Sequence, residues 1–119
     1  DGVDLSPLLA GSAAIAERTI LFHQPHKWGP EGPGIEPFSA IRRGDRKLIW
    51  FHDAAAPGPR VELFDVARDP SESRECSASQ PDTFAAMAAA LREALDRTGA
   101  QLSVDRILGA EAGFRAATR

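Results

Sequence analysis

Residues 37–72, PFSAIRRGDRKLIWFHDAAAPGPRVELFDVARDPSE, are the stretch that decides the fold. Two segments that are predicted to be strands, 38–43 and 47–52, lie on either side of Gly44-Asp45, a pair that favours a tight hairpin turn. Residues 60–66 have the composition of a further strand after a loop rich in alanine and proline. This region therefore predicts three consecutive antiparallel strands.

The remaining strand and the main helix lie on either side of this stretch. Residues 17–23, ERTILFH, combine β-branched and aromatic side chains, as strands do. Pro81 suits the first position of a helix and Gly99 suits its end. Apolar residues between them recur at the spacing of one helical face: Phe84, Met87, Ala88, Leu91 and Leu95. The prediction is an α+β fold, with an antiparallel sheet of about four strands and one long C-terminal helix packed on one face.

The second hairpin strand is apolar on both faces. Leu48 and Trp50 point to one face of the sheet, while Ile49 and Phe51 point to the other. Antiparallel sheets usually leave one face in water, so a strand of this kind is expected to be covered on both faces. The helix can cover one face. A missing domain or a second copy of this chain would cover the other, and the missing domain is favoured.

Composition excludes several classes of partner. The chain has 119 residues, 43% of them hydrophobic and 26% charged, which is ordinary for one globular domain. A formal charge of −3 and the lack of a long basic run argue against nucleic acid. No apolar stretch approaches the roughly 20 residues that cross a bilayer, so no membrane partner is expected.

Four segments resemble, in the same order, the C-terminal subdomain of sulfatases. Residues 1–11, DGVDLSPLLAG, are similar to the family's DGvSLlPLLkG, and residues 21–26, LFHQPH, to its LFWHYPH. The hairpin segment AIRRGDRKLI, 40–49, is similar to AIRkGdyKLI. The segment ELFDVARDPSE, 62–72, is similar to ELYnL..DPgE.

The helix that begins at Pro81 and closes at Gly99-Ala100 is a fifth point of resemblance. The resemblance thus covers residues 1–102, which are taken as one sulfatase C-terminal-like subdomain. Residues 103–119 form a tail with no counterpart in the family.

The resemblance implies a subdomain of an enzyme that hydrolyses sulfate esters. The missing N-terminal catalytic domain would be its partner, and would supply calcium and a formylglycine made from the cysteine of a Cys-x-Pro-x-Arg motif. In this chain Cys76 is followed by Ser-Ala-Ser-Gln, and no Asp-Asp or Asp-Asn pair is present to hold a hard cation. We therefore expect no catalytic residue, metal ligand or cofactor within the chain, and a small core residue at Cys76. The full enzyme would bind a sulfated small molecule or glycan, and a periplasmic or secreted location is compatible with the resemblance.

His23, His26 and Trp28 are the candidate substrate-binding residues. The resemblance implies that the His-Gln-Pro-His segment lies at the rim of the sulfate pocket, and an imidazole can donate to a sulfate oxygen. Two alternatives remain for the histidines: a structural or surface role, and a metal pair completed by His52. Trp28 could stack on a sugar or aryl ring, although anchoring of its own loop is favoured.

Arg42 and Lys47 belong to a basic cluster at the hairpin turn. Together with Arg43, Arg46 and Asp45 they give this turn a local charge of +3, from four positive groups and one negative group. Such a charge could steer an anionic substrate or dock the missing domain. A solvated tip is the favoured alternative to steering.

Two other functions fit the same sequence. One is a subdomain of a related alkaline-phosphatase-superfamily hydrolase that acts on phosphoesters or phosphonates. The other is a free-standing binding or dimerisation module descended from such a subdomain, in which a second copy of the chain is the partner.

Overall fold

The computed structural model describes residues 3–11, 17–26, 36–52 and 60–102. Their order along the chain is α1 (Ser6–Leu9), β1 (Thr19–Gln24), β2 (Phe38–Arg43), β3 (Arg46–Phe51), β4 (Arg60–Asp65), a 3-10 turn (Ser77–Ser79) and α2 (Pro81–Thr98). The four strands form one antiparallel sheet in the order β1-β2-β3-β4, and α2 packs against it. The predicted α+β fold is confirmed.

The β2–β3 hairpin fixes the register at the centre of the sheet. Gly44 has a φ of +55°, which a glycine adopts without steric cost in the turn. Arg43 pairs with Arg46 across the turn, and Ile41 pairs with Leu48 further along. Leu48 in turn pairs with Leu63 on β4. The buried side chains of three strands are therefore aligned in one row beneath the helix.

Helix α2 begins and ends where the sequence predicts. Pro81 occupies its first turn, and Gly99 follows its last residue in the left-handed region with a φ of +60°. The amides of Gly99 and Ala100 donate to the Asp96 and Leu95 carbonyls, which satisfies the end of the helix.

One face of α2 and one face of the sheet form the main core. Met87, Ala88, Leu91 and Ala94 from the helix are buried there. Their partners on the sheet are Ile41, Leu48, Trp50 and Leu63. This is the face that the periodicity of the helix predicts.

The opposite face of the sheet is also apolar. Ala40, Ile49 and Phe64 are buried in a second cluster, against which Phe38, Phe51 and Val66 pack. Towards the β1 edge this face is more open, because Ile20 is 36% exposed and Phe22 is 44% exposed. We call Ile20 and Phe22 the β1 apolar edge. Ile49 is thus buried within this chain itself, although the sequence predicted that a missing domain or a second copy would cover this face. The β1 apolar edge stays in contact with solvent.

Candidate functional site

The predicted substrate-binding residues gather at one end of the sheet. At this end β1 and β3 finish while β2 and β4 begin, as the pairs Gln24–Phe38 and Phe51–Arg60 show. The loops that join β1 to β2 and β3 to β4 both leave the sheet here. His23 lies in β1 and the exposed His26 follows it, whereas Trp28 lies outside the described residues.

Two histidines and a serine form a continuous hydrogen-bonded relay at this end of the sheet. Ser39 Oγ lies 2.8 Å from His23 Nδ1 and 2.8 Å from His52 Nε2. The other nitrogen of His23, Nε2, lies 3.1 Å from the main-chain oxygen of Gln101. The relay therefore joins β1, β2, the residue after β3 and the segment after α2. We refer to His23, Ser39 and His52 as the relay.

Burial governs the electrostatics of the relay. Ser39 is fully buried, His52 is 6% exposed and His23 is half-buried. The His52 ring packs on Trp50, with ring centroids 4.5 Å apart. Loss of hydration in this setting, with a smaller contribution from the charge of His23, lowers the pKa of His52 from 6.5 to about 4. His52 is accordingly neutral at physiological pH.

The hydrogen bonds of the neutral relay run in one direction. A carbonyl oxygen can only accept, so His23 Nε2 carries the hydrogen and donates to Gln101. The unprotonated Nδ1 of His23 then accepts from the Ser39 hydroxyl, whose oxygen accepts from His52 Nε2. His52 Nδ1 is left as a buried lone pair with no hydrogen-bond partner in the described part of the chain.

The relay changes the role that the sequence suggests for His23. Both of its ring nitrogens are engaged within the protein, so in this conformation neither is free to donate to a ligand. His26 is the exposed imidazole at this end of the sheet. His23 thus holds the strand from which His26 and its loop extend.

The sequence did not lead us to single out Ser39 as a site residue. His52 was considered only as a third imidazole for a metal ion. A signal for both was present in the hairpin. Counting outward from Gly44-Asp45 pairs Ser39 with Trp50 and Pro37 with His52, and the His52 amide does donate to the Pro37 carbonyl. A serine and a histidine on the same face at the end of a hairpin are candidates for contact.

The predicted basic cluster lies at the other end of the sheet. Ser39 and Arg43 are separated by the length of β2, roughly 13 Å at 3.3 Å per residue. Arg42 is exposed, and its Nε donates to the Gly44 carbonyl. Lys47 Nζ lies 2.7 Å from Glu72 Oε1 and 2.8 Å from Oε2. The structure does not bring Arg42 or Lys47 together with the histidines, and Lys47 is paired within the chain.

Cys76 has a structural position. Its amide and its thiol both donate to the Leu63 carbonyl, over 2.9 Å and 3.2 Å, while Glu75 Oε1 accepts from the Leu63 amide. These contacts satisfy the outward-facing amide and carbonyl of Leu63 on β4, an edge strand. Burial, reinforced by the negative charge of Glu75, raises the pKa of the Cys76 thiol. A protonated, hydrogen-bonded thiol is a poor nucleophile, which agrees with the expected core position.

Residues 3–11, 17–26, 36–52 and 60–102 contain no group of three histidine, cysteine or acidic side chains that could hold a metal ion. Within the same ranges, no helix is both long and apolar enough to cross a membrane. Neither a scan against protein-family models nor a search of curated proteins finds a match to this chain.

Proposed function

We propose that this chain is the C-terminal subdomain of a sulfatase-like enzyme that hydrolyses sulfate esters, and that it is not catalytic alone. It would pack against an N-terminal catalytic domain that supplies formylglycine and calcium. Its own contribution would be support for that domain and part of the rim of a pocket for a sulfated small molecule or glycan.

The structural observation that supports the proposal best is the β1 apolar edge. Ile20 and Phe22 are exposed side by side on the outer face of the sheet. Further exposed apolar side chains lie in and next to α1, where Leu9 is 84% exposed. Apolar side chains grouped in this way mark surfaces that dock another protein unit. A catalytic domain preceding Asp1 in the same polypeptide is the partner that the resemblance implies.

Within this proposal the residues at the histidine end of the sheet divide into two roles. His26 and Trp28 would face the substrate, since His26 is exposed and Trp28 belongs to the same loop. His23 would hold the base of that loop through Ser39 and Gln101. A sulfate oxygen would accept a hydrogen bond from His26, whose ring nitrogens can donate.

The coding sequence upstream of Asp1 tests the proposal. We expect a Cys-x-Pro-x-Arg or Ser-x-Pro-x-Arg motif some hundreds of codons upstream in the same reading frame. A threonine nucleophile in its place would favour a phosphoester or phosphonate hydrolase instead. A start codon immediately before Asp1 would overturn both enzyme assignments and favour a free-standing module.

Replacing Phe22 with serine tests the docking surface in the isolated chain. The wild-type chain is expected to bind a hydrophobic dye at the β1 apolar edge, and Phe22→Ser should reduce the dye fluorescence by about half, since Phe22 is the larger side chain of the pair. Thr19→Ser is the matched control, because Thr19 is exposed on the same strand but on the other face. It should leave the fluorescence unchanged.

Size-exclusion chromatography of the same samples distinguishes the partners. A dye-binding monomer agrees with a missing catalytic domain, and a dimer that Phe22→Ser dissociates would identify a second copy as the partner. A wild-type monomer that binds no dye would contradict the docking role of the β1 apolar edge.

A further inference from the structure

The two edges of the sheet differ in how their main chain is satisfied. At the β4 edge the chain caps its own strand, because the Leu63 carbonyl accepts from the Cys76 amide and the Leu63 amide donates to Glu75 Oε1. β1 is the other edge, since β2 is its one neighbour among the described strands. Main-chain groups left uncapped on an edge strand can pair with a further strand.

The bonding pattern of β2 shows which main-chain groups of β1 point outward. In an antiparallel sheet the residues of a strand bond alternately to its two neighbours. The His52 amide donates to the Pro37 carbonyl, so odd-numbered residues along β2 bond to β3 and even-numbered ones bond to β1. The even-numbered residues pair with Ile20, Phe22 and Gln24. The groups that point away from the sheet therefore belong to the other three residues of β1: Thr19, Leu21 and His23.

We call the outward N–H and C=O groups of Thr19, Leu21 and His23 the β1 backbone edge. Among the residues that the structure describes, none donates to these groups or accepts from them. The six residues of β1, TILFHQ, include no proline, lysine, arginine or acidic residue, and they pair with β2 without a bulge. These are the features that usually keep an edge strand from pairing with another strand. The β1 backbone edge is therefore open to an added strand.

A strand at the β1 backbone edge would also cover the β1 apolar edge. Ile20 and Phe22 share the outer face of the sheet and are 36% and 44% exposed. Side chains that lie on the same face of neighbouring strands come within contact distance. Apolar residues at alternate positions of the added strand would thus pack beside Ile20 and Phe22. One extended segment can satisfy the main chain and bury the apolar pair together.

The small size of this surface favours a partner that is covalently joined to the chain. A stable complex between separate proteins buries roughly 800 Å² on each partner. The strand offers less, since it has six residues and two partly exposed apolar side chains on its outer face. Two parts of one polypeptide meet at a high effective concentration, which offsets most of the cost of association. A tethered domain can therefore pair at this edge, where a second copy would be held only weakly.

We propose that an extended strand of the catalytic domain, which precedes Asp1 in the same polypeptide, adds to the β1 backbone edge and extends the sheet to five strands. The inference rests on the proposed function and specifies how the two domains join. Main-chain hydrogen bonds to Thr19, Leu21 and His23 fix the added strand, as in other cases of strand addition. Its apolar side chains lie on the face that it shares with Ile20 and Phe22.

Hydrogen exchange at single amides, measured by mass spectrometry with electron-transfer fragmentation, tests the strand addition. The isolated 119-residue chain is compared with the protein made from the whole reading frame. In the isolated chain the Ile20 and Phe22 amides should be protected, because they bond to β2, whereas the Leu21 and His23 amides should exchange quickly. In the whole protein the exchange of Leu21 and His23 should slow by about 100-fold.

A substitution at Thr19 makes the test specific. Thr19→Pro removes one outward N–H and places a ring at the edge, but keeps the bonds between β1 and β2. In the whole protein it should speed the exchange of the Leu21 amide by about tenfold or more. Thr19→Val is the matched control, since it keeps the N–H and the branched shape, and its exchange should match the wild type. Should Thr19→Pro not fold, the wild-type comparison decides alone.

Two results would overturn the strand addition. One is fast exchange of the Leu21 and His23 amides in both proteins. The other is protection of these amides in the isolated chain. Protection that is lost on dilution would then identify a second copy at the edge, and protection that persists would identify another part of the same chain. The exchange pattern does not depend on the ester that the enzyme hydrolyses, so a failure of the sulfatase assignment is seen separately, in substrate assays.

Discussion

Replacing Leu91 with alanine is expected to lower the free energy of unfolding by about 3 kcal/mol. Leu91 is fully buried at the centre of the helix–sheet core, where it packs with Ile41, Leu48 and Leu63. Truncation removes buried methyl groups and leaves a cavity that a close-packed sheet fills poorly. Small domains have total stabilities of only about 5 to 15 kcal/mol, so the loss would be a large fraction. Urea denaturation followed by far-ultraviolet circular dichroism measures it.

Leu9→Ala is the matched control for this substitution. The same two residue types are exchanged, but Leu9 is 84% exposed in the isolated chain. The free energy of unfolding should then change by less than about 0.5 kcal/mol. Equal losses at Leu91 and Leu9 would contradict the packing of α2 on the sheet.

Acidification is expected to lower the free energy of unfolding by about 3 kcal/mol, because His52 binds a proton more readily in the unfolded chain than in the folded one. In the folded chain its pKa is about 4, whereas in the unfolded chain it returns to 6.5. The unfolded state therefore binds more protons between these values, and stability falls as the pH drops from 6.5 towards 4. At 1.36 kcal/mol per pKa unit the whole window corresponds to about 3 kcal/mol. Above pH 6.5 this contribution is complete, and below pH 4 it changes no further.

Denaturation at a series of pH values, with the His52→Phe and His26→Gln variants in parallel, shows whether His52 causes this pH dependence of the free energy of unfolding. His52→Phe should flatten the slope between pH 6.5 and 4, and His26→Gln should keep it. Carboxylates act in a lower window: the hydrogen bond from the Arg74 amide holds the pKa of Asp69 below its usual 3.8, so its contribution is lost at more acidic pH. A wild-type slope that persists in His52→Phe would show that another group is responsible.

Local sequence patterns were enough to predict most of the fold. Gly44-Asp45 specified the hairpin because a tight turn needs a residue that tolerates positive φ, and Gly44 adopts it. Pro81 and Gly99 specified the ends of α2 for comparable reasons. The apolar faces of β3 also predicted burial on both sides, with a missing domain or a second copy covering the outer face, but Ile49 is already buried within this chain, in a cluster with Ala40 and Phe64.

Such local sequence patterns predict only some of the contacts in the relay. The contact of Ser39 with His52 follows from the hairpin register, which a short turn fixes. The contact of His23 with Ser39 does not, because the loop between β1 and β2 is long and leaves their register free. The Gln101 contact depends on where α2 lies on the sheet, which is a property of tertiary packing. His23 was therefore predicted as a ligand group although it is bonded within the fold.

The central proposal is that this α+β unit, with its β1 apolar edge, serves a sulfate-ester hydrolase. The most direct measurement compares p-nitrophenyl sulfate with p-nitrophenyl phosphate as substrates of the protein made from the whole reading frame that contains residues 1–119. The account predicts that the sulfate ester is hydrolysed with the higher kcat/KM. Preference for the phosphate ester, or no turnover of the sulfate ester, would contradict it.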